Sequence, residues 1–381
     1  MEKKIEINQR VYKIYKKGFD MKLTRYLYQK SEVKHSLIYS VLKKTSFNEC
    51  LFWTSEFYYS GYFLELWNLI WKIYYDFYAI IHPKLEKFII KMKEKWDKKR
   101  KIVYILHIFK NFYHNNISSP IVFLVRMALE TQKFKTKSYR GRPPSWVTNK
   151  KYKNLLLSIH NKHYKNIAYY LRRFQDQKSE VYDTILKYFE VQDDKCIYES
   201  NYQDKLHILI DTMFHLSLED ENINTQNIHL QVTGDELKYA TETNVISCKL
   251  YKVLKEKRKF KIRTEIGCFK LDRYNHAYPN VQQIQWYHWK YFAYNTPLWK
   301  ERFDKYKIEL DSERFKLEFE DDCDEFEDFH EKYYYEPDEQ SKEVQERSIV
   351  DIPEISINDW IINIFGEEEL FRLDDKNKYK Y

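Results

Sequence analysis

The sequence predicts a mainly α-helical protein, either a helical bundle or a helical-repeat-like array, with one small β element near residues 258–271. The chain has only 6 Gly and 8 Pro among 381 residues, beside 35 Tyr and 24 Phe. So few backbone-permissive residues leave little room for the tight hairpins of an all-β protein. Apolar residues at helical spacing dominate residues 1–218, and no fixed sequence period demonstrates repeats.

Start and stop signals divide the first 218 residues into short helices. Ser46 is a typical N-cap and Gly61 a typical helix end, and Pro83 suits the first turn of a helix. Residues 51–81 are the most apolar stretch, but Glu56, Glu65, Lys72 and Asp76 interrupt it, so we expect buried helices and no membrane contact. Helices are predicted over residues 33–44, 46–61, 63–81, 84–101, 102–109, 120–131, 152–160, 164–174, 180–189 and 204–218.

The second half of the chain changes character. Residues 260–266 alternate apolar and polar side chains, which predicts the β element, and helical spacing returns at 279–294 and after Pro297. Residues 309–339 hold fifteen acidic and three basic residues, a composition typical of a solvated surface. The predicted organisation is a basic helical domain (1–218), a mixed α/β domain (219–308), an acidic linker or solvated helix (309–345) and a C-terminal amphipathic segment (346–381).

Charge is distributed unevenly along the chain. The formal net charge is +8, yet residues 1–180 alone hold 37 Lys and Arg against 14 Asp and Glu. Residues 131–175 contain no acidic residue and twelve basic ones. A surface of one sign is tolerated where it meets an anion or is neutralised by another part of the chain. Both alternatives, a nucleic-acid partner and the chain's own acidic third, follow from this composition.

Arg140-Gly141-Arg142-Pro143 matches the core of the AT-hook, a peptide that lies in the minor groove of A·T-rich DNA. Glycine avoids the groove floor there, and the arginines follow its negative potential. The alternative is an ordinary interhelical loop. Aromatic residues also alternate with the basic ones, as single-strand binding needs, but several of them must face the core. The residues predicted to bind nucleic acid are Lys133, Lys135, Lys137, Arg140, Arg142, Lys150, Lys151, Arg172 and Arg173.

The sequence offers weak enzymatic signals only. Asp220 followed by Glu236-Leu237-Lys238 fits the Asp…Glu-x-Lys pattern of metal-dependent nucleases, but Glu-x-Lys is common in charged chains. His160 and His163 have no neighbouring Cys or carboxylate to complete a zinc site, and we expect them to add positive charge to the basic face. No catalytic residue, metal ligand or cofactor is predicted.

Two stretches resemble an uncharacterised protein family of nucleocytoplasmic large DNA viruses, the giant viruses. They are residues 49–78, which include Tyr58-Tyr59-Ser60-Gly61, and residues 294–299 together with the later 335–340. The resemblance implies an intracellular viral protein of the host cytoplasm or viral factory, with the virion as an alternative, and it implies no activity. An A·T-rich mitochondrial genome is the other origin that fits the Lys, Ile, Tyr and Phe content. Five scattered cysteines without a CxxC pair also favour a reducing compartment.

The leading functional hypothesis is a non-enzymatic nucleic-acid-binding protein. Residues 84–175 would hold DNA or RNA, and residues 309–365 would contact a protein partner. The second hypothesis is a structural or scaffold subunit without a nucleic-acid role, and the third is a metal-dependent nuclease.

Overall fold

A computed structural model of the chain describes residues 22–118, 120, 122–123, 139, 145–147, 149–161, 163–174, 178–188, 229–242, 261–262, 288–312, 314–320, 324–333, 354–355 and 357–366. Its helices are α1 (Lys30–Lys43), α2 (Phe47–Tyr59), α3 (Phe63–Phe77), α4 (Leu85–Lys99), α5 (Val103–His114), a 3-10 turn (Lys150–Tyr152), α6 (Lys153–His160), α7 (Tyr164–Arg173), α8 (Lys178–Tyr188), α9 (Gly234–Glu242), α10 (Pro297–Phe303), α11 (Asp324–Tyr333) and α12 (Ile357–Phe365). Its strands are β1 (Lys261–Ile262), β2 (Ile308–Asp311), β3 (Lys316–Phe319) and β4 (Glu354–Ile355).

The chain divides into two compact units. Unit 1 comprises residues 1–66, 232–265 and 269–355, and unit 2 comprises residues 67–231, 266–268 and 356–381. Helices dominate the described parts of both units, which confirms the predicted fold class. Within the described residues, no helix is long and apolar enough to cross a membrane. The apolar stretch 51–81 forms most of α2 and all of α3, in agreement with the expectation of buried helices.

Strands are short and lie in unit 1. The described part of the predicted β element is β1, which pairs in parallel with β4, Lys261 opposite Glu354. Strands β2 and β3 form an antiparallel hairpin with Ile308 opposite Phe319. This hairpin lies where the sequence predicted an acidic linker or solvated helix. Leu317 and Phe319 are buried while the residues between them are exposed, which is the alternation of a strand with one face on a core.

The segment before α1 is fixed by side chains that are distant in sequence. The Tyr62 hydroxyl donates to the Leu23 carbonyl oxygen at 2.8 Å, and the Thr296 hydroxyl donates to the same oxygen. The indole N–H of Trp299 donates to the Thr24 carbonyl at 3.2 Å. Buried backbone carbonyls outside regular structure need such partners. Three parts of unit 1 are therefore joined at this segment.

A buried ion pair reinforces the same segment. Arg25 Nε lies 2.7 Å from Glu56 Oε2, and the two side chains are 1% and 0% exposed. The backbone N–H of Tyr26 donates to Glu56 Oε1 at 3.0 Å, so both carboxylate oxygens are engaged. The backbone N–H of Arg25 donates to the Ser60 hydroxyl at 2.9 Å. Glu56, which interrupts the apolar pattern of the sequence, is thus the buried counter-charge of Arg25.

Replacement of Glu56 by Gln should destabilise unit 1 by about 3–5 kcal/mol, because it leaves a buried guanidinium without its counter-charge. Chemical denaturation followed by circular dichroism measures the change. Asp304→Asn is the control, since it breaks the exposed Lys300–Asp304 ion pair in the same unit and should change stability little. Equal effects of the two variants would contradict the role given to Glu56.

Gly61 marks a close approach between the end of α2 and the start of α10. Its backbone has φ +88°, a left-handed conformation that side chains disfavour. A Cβ at this position would lie 2.7 Å from Pro297 Cβ, which is inside van der Waals contact. Glycine is therefore required both by the backbone and by the packing of α10 against the end of α2.

We expect Gly61→Ala to destabilise unit 1 by about 2 kcal/mol or more, from left-handed backbone strain together with overpacking. Gly234→Ala is the matched control, because nothing lies within 4 Å of its added Cβ and its φ is not positive. Thermal unfolding of the two variants compares them directly. A Gly61→Ala protein as stable as Gly234→Ala would exclude the close approach.

Unit 2 contains two helical groups relevant to function. Helices α4 and α5 form a hairpin whose turn passes through Arg100, with φ 49° and its N–H bonded to the Trp96 carbonyl. Helices α6, α7 and α8 share an apolar cluster that includes Tyr152, Leu156, Leu171 and Ile185, with Ile80 from beyond the end of α3. Both groups carry exposed basic residues.

Candidate functional site

The predicted nucleic-acid residues fall into two sets. Four of them, Lys150, Lys151, Arg172 and Arg173, are described and exposed, two in the 3-10 turn before α6 and two at the end of α7. The other predicted residues lie outside the described residues, as does the AT-hook-like core at 140–143: Lys133, Lys135, Lys137, Arg140 and Arg142.

The four described residues form two basic pairs at neighbouring points of unit 2. Tyr152, which follows Lys151, contacts the ring of Phe174 with centroids 4.8 Å apart, and Phe174 follows Arg173. Lys151 Nζ also lies 2.7 Å from Glu180 Oε2 at the start of α8. Hydrogen bonding to Glu180 raises the pKa of Lys151 and lowers the pKa of Glu180. The charge of Lys151 is thus partly neutralised by Glu180, which lies just beyond residues 131–175.

Aromatic residues of the basic segment belong to the core. Tyr152 and Tyr170 are buried in the apolar cluster of α6, α7 and α8, and four further rings pack against it: Tyr139, Trp146, Tyr169 and Phe174. These rings stabilise the fold of unit 2. The predicted interaction with nucleic acid therefore depends on the charges of this segment and not on these rings.

The two histidines of this segment are also held by rings. Trp146 and His160 have ring centroids 4.9 Å apart. The rings of Tyr139 and His163 are stacked, and the Tyr139 hydroxyl is hydrogen-bonded to His163 Nδ1. His163 is therefore a packing residue at the start of α7, whereas His160 is exposed at the end of α6.

A row of exposed lysines lies on α4. This helix buries Leu85, Ile89, Met92 and Trp96, which recur at helical spacing and occupy one face. Four exposed lysines follow one another along the opposite face, and we call them the α4 lysine row: Lys87, Lys91, Lys95 and Lys98. Their spacing of three or four residues places each side chain one turn from the next. The row extends over about 16 Å at 1.5 Å per residue.

Lys93 on α4 and Arg100 just after it are engaged by other side chains, in contrast to the lysine row. Lys93 pairs with Asp97 at 2.6 Å and lies over the rings of Trp67 and Trp96. Arg100 lies over Trp96, with 4.0 Å from its Cζ to the ring centroid. In the part of the chain that the structure describes, no carboxylate lies within 4.0 Å of any lysine of the row. The exposed Glu94 shares their face without forming an ion pair.

Two neighbouring groups show the electrostatic character of this surface. Glu86 points inward, where the Tyr75 hydroxyl donates to its carboxylate at 2.5 Å, so its charge does not neutralise the row. His107 on α5 is half-buried, and burial lowers its pKa, with Lys95 and Lys110 lowering it further. The pKa of His107 therefore depends on the positive potential around Lys95.

Acidic side chains form a corresponding surface in unit 1. Helix α11 exposes carboxylates along its length, while Phe329 packs on Phe303 and Phe319 with ring centroids 4.6 and 5.4 Å apart. Lys290 lies within this aromatic group, 4.1 Å from the Phe326 ring centroid, and burial lowers its pKa to about 8. The exposed acidic residues of the helix are Asp324, Glu327, Asp328 and Glu331.

The nuclease-like pattern has a structural explanation for one of its members. The Thr233 backbone N–H donates to Glu236 Oε2 at 2.6 Å, and the Glu236 N–H donates to Thr233 Oγ1 at 3.2 Å. These reciprocal bonds are a capping box at the start of α9. Asp220 lies outside the described residues. Among the described residues, no group of three His, Cys, Asp or Glu side chains could hold a metal ion.

No protein-family model, curated protein or solved structure matches this chain. The functional assignment accordingly rests on the charges and contacts of the chain itself.

One buried cation of unit 1 forms no ion pair in the part of the chain that the structure describes. Arg302 on α10 is 9% exposed, with its Cζ 4.7 Å from the Trp299 ring and 4.8 Å from the Tyr333 ring. Cation–π contacts of about 2 kcal/mol each offset part of a desolvation penalty of several kcal/mol. Burial lowers the pKa of Arg302 to about 10, so the guanidinium keeps its charge at neutral pH. Its Nη1 is buried and has no hydrogen-bond partner among the described residues, which costs about 1–3 kcal/mol.

Proposed function

We propose that this protein is a non-enzymatic nucleic-acid-binding protein that holds a phosphate backbone along the α4 lysine row. The observation that carries the proposal is the contrast on α4 itself. Lys93 and Arg100 are engaged by Asp97 and by tryptophan rings, whereas the exposed row has no carboxylate partner among the described residues. A helix that neutralises some of its cations and leaves a row of others in water is suited to meet an external polyanion.

The dimensions of the row fit a phosphate backbone. Duplex DNA carries one negative charge per about 1.7 Å of helix axis, so about 16 Å of duplex presents about nine phosphates. Lysine side chains contact phosphates without reading bases. Binding through this row is therefore expected to be salt-dependent and weakly sequence-specific, for DNA and RNA alike. The exposed pairs Lys150–Lys151 and Arg172–Arg173 are additional contacts within the same proposal.

The variant K87Q/K91Q/K95Q/K98Q should weaken nucleic-acid binding and reduce the slope of log affinity against log salt by about 3–4 for duplex DNA, at about 0.9 per lost phosphate contact. Fluorescence anisotropy with labelled duplex DNA and single-stranded RNA across a salt series measures both quantities. The result follows from the loss of four counterion-releasing contacts.

The matched control removes the same charge from four exposed lysines that are paired with carboxylates. K300Q/K305Q/K307Q/K316Q disrupts the pairs with Asp304, Glu301, Glu320 and Glu318. This control should leave the salt slope unchanged. If both quadruple variants reduce affinity and slope equally, net charge and not the α4 row determines binding, and the proposal fails.

The acidic face of α11 supports the second part of the proposal, a contact with a basic protein partner. In this role the protein would act in viral genome or transcript handling, with one surface for nucleic acid and another for protein. The scaffold alternative predicts no nucleic-acid binding at physiological salt, and the nuclease alternative predicts cleavage with Mg²⁺ or Mn²⁺. The anisotropy samples, run afterwards on a denaturing gel, distinguish all three.

A further inference from the structure

Arg302 stands apart from the lysine row because it is buried and lies in unit 1. Glu56 is a buried carboxylate of the same unit, and its two oxygens are engaged by Arg25 and by the Tyr26 backbone N–H. Glu301, the adjacent acidic residue, is 74% exposed on its side chain and pairs with Lys305 at 3.8 Å. Glu301 is near enough to raise the pKa of Arg302, but neither carboxylate forms an ion pair with it within the described residues.

The contacts of Arg302 leave its hydrogen-bonding edge unused. Trp299 and Tyr333 contact the guanidinium through their rings, while its N–H donors point outward within its own plane. Nη1 has no acceptor, and no other side-chain hydrogen bond of Arg302 is present in the described structure. A planar edge of this kind binds two oxygens of a carboxylate or phosphate side by side.

Charge around Arg302 also favours an anion. Burial lowers the pKa of Arg302 most and the neighbouring Arg25 lowers it further, while Tyr333, Glu301 and Tyr26 raise it. Glu56 pairs with Arg25, and Arg302 forms no ion pair with a carboxylate among the described residues. Tetrahedral phosphate, which accepts hydrogen bonds from several directions, suits a guanidinium edge with a neighbouring phenol better than a planar carboxylate does.

We propose that the Arg302 edge, between Trp299 and Tyr333, is a binding site for a phosphate group. This site is independent of the nucleic-acid surface proposed for α4. The same chemistry is available from free phosphate or a phosphate monoester and from the phosphodiesters of a nucleic acid. A phosphate monoester is the better ligand, because its second negative charge and third terminal oxygen meet a site that has one uncompensated cation.

Arginine side-chain NMR tests the site on the full-length protein. Titration with inorganic phosphate, against sodium chloride at equal ionic strength, should shift the Nε–Hε signal of Arg302 and leave that of the exposed Arg314 unchanged. The signal is assigned by its absence from R302Q. A short oligonucleotide without terminal phosphate should shift it at least tenfold less effectively. A larger effect of the oligonucleotide, or no shift of Arg302 with phosphate, would overturn the proposal.

Thermal unfolding provides the second measurement. Phosphate should raise the midpoint of the wild type and of K87Q/K91Q/K95Q/K98Q, because a ligand that binds only the folded state stabilises it. R302Q should bind phosphate at least tenfold more weakly and show no such rise. R302K, which keeps the charge without the planar fork, should be intermediate. Arg302 is not the site if phosphate raises the unfolding midpoint of R302Q as much as that of the wild type. The same conclusion follows if K87Q/K91Q/K95Q/K98Q is the variant that loses this rise.

Discussion

The buried ion pair between Arg25 and Glu56 is the interaction on which the described part of unit 1 depends. It joins the segment before α1 to α2, and the bonds from Thr296 and Trp299 to Leu23 and Thr24 add α10 to the same point. A buried pair of this kind is worth little beyond a well-packed apolar pair, but losing one partner is costly. The main effect of the arrangement is therefore to determine which segments pack together. Its contribution to the total stability is small.

Positive charge among the described residues has four different environments. Arg25 is neutralised inside unit 1, Lys93 and Lys151 are neutralised on the surface of unit 2, and the lysine row of α4 remains in water. Arg302 is a fourth case, buried but held by rings alone. Exposed cations suit a long polyanion that releases counterions, whereas a buried guanidinium edge suits a small oxyanion. The two proposals follow from this difference in solvation.

The sequence predicted the helices well, because Leu85, Ile89, Met92 and Trp96 recur with the period that a buried helix face requires. It did not predict the β2–β3 hairpin, since exposed acids obscured the two-residue alternation of Leu317 and Phe319. The predicted basic region 84–175 included α4, but the individual site residues were all chosen from residues 131–175, which lack acidic side chains. Lys151 is one of them, and its partner Glu180 lies just outside that range. The spacing of the α4 lysines, every three or four residues, could have been used to predict the row from the sequence. The Arg25–Glu56 pair was not, because tertiary packing alone joins residues so distant in sequence.

His107 offers the most direct test of whether a polyanion occupies the α4 lysine row. Burial lowers the pKa of His107, and Lys95 and Lys110 lower it further, so a phosphate backbone at Lys95 should raise that pKa by offsetting the lysine charge. NMR titration of the histidine signals with and without a duplex oligonucleotide measures this, with the buried His288 of unit 1 as internal reference. We predict a higher pKa for His107 in the complex and no change for His288. Binding of the oligonucleotide with an unchanged pKa at His107 would contradict the assignment of α4 as the interface.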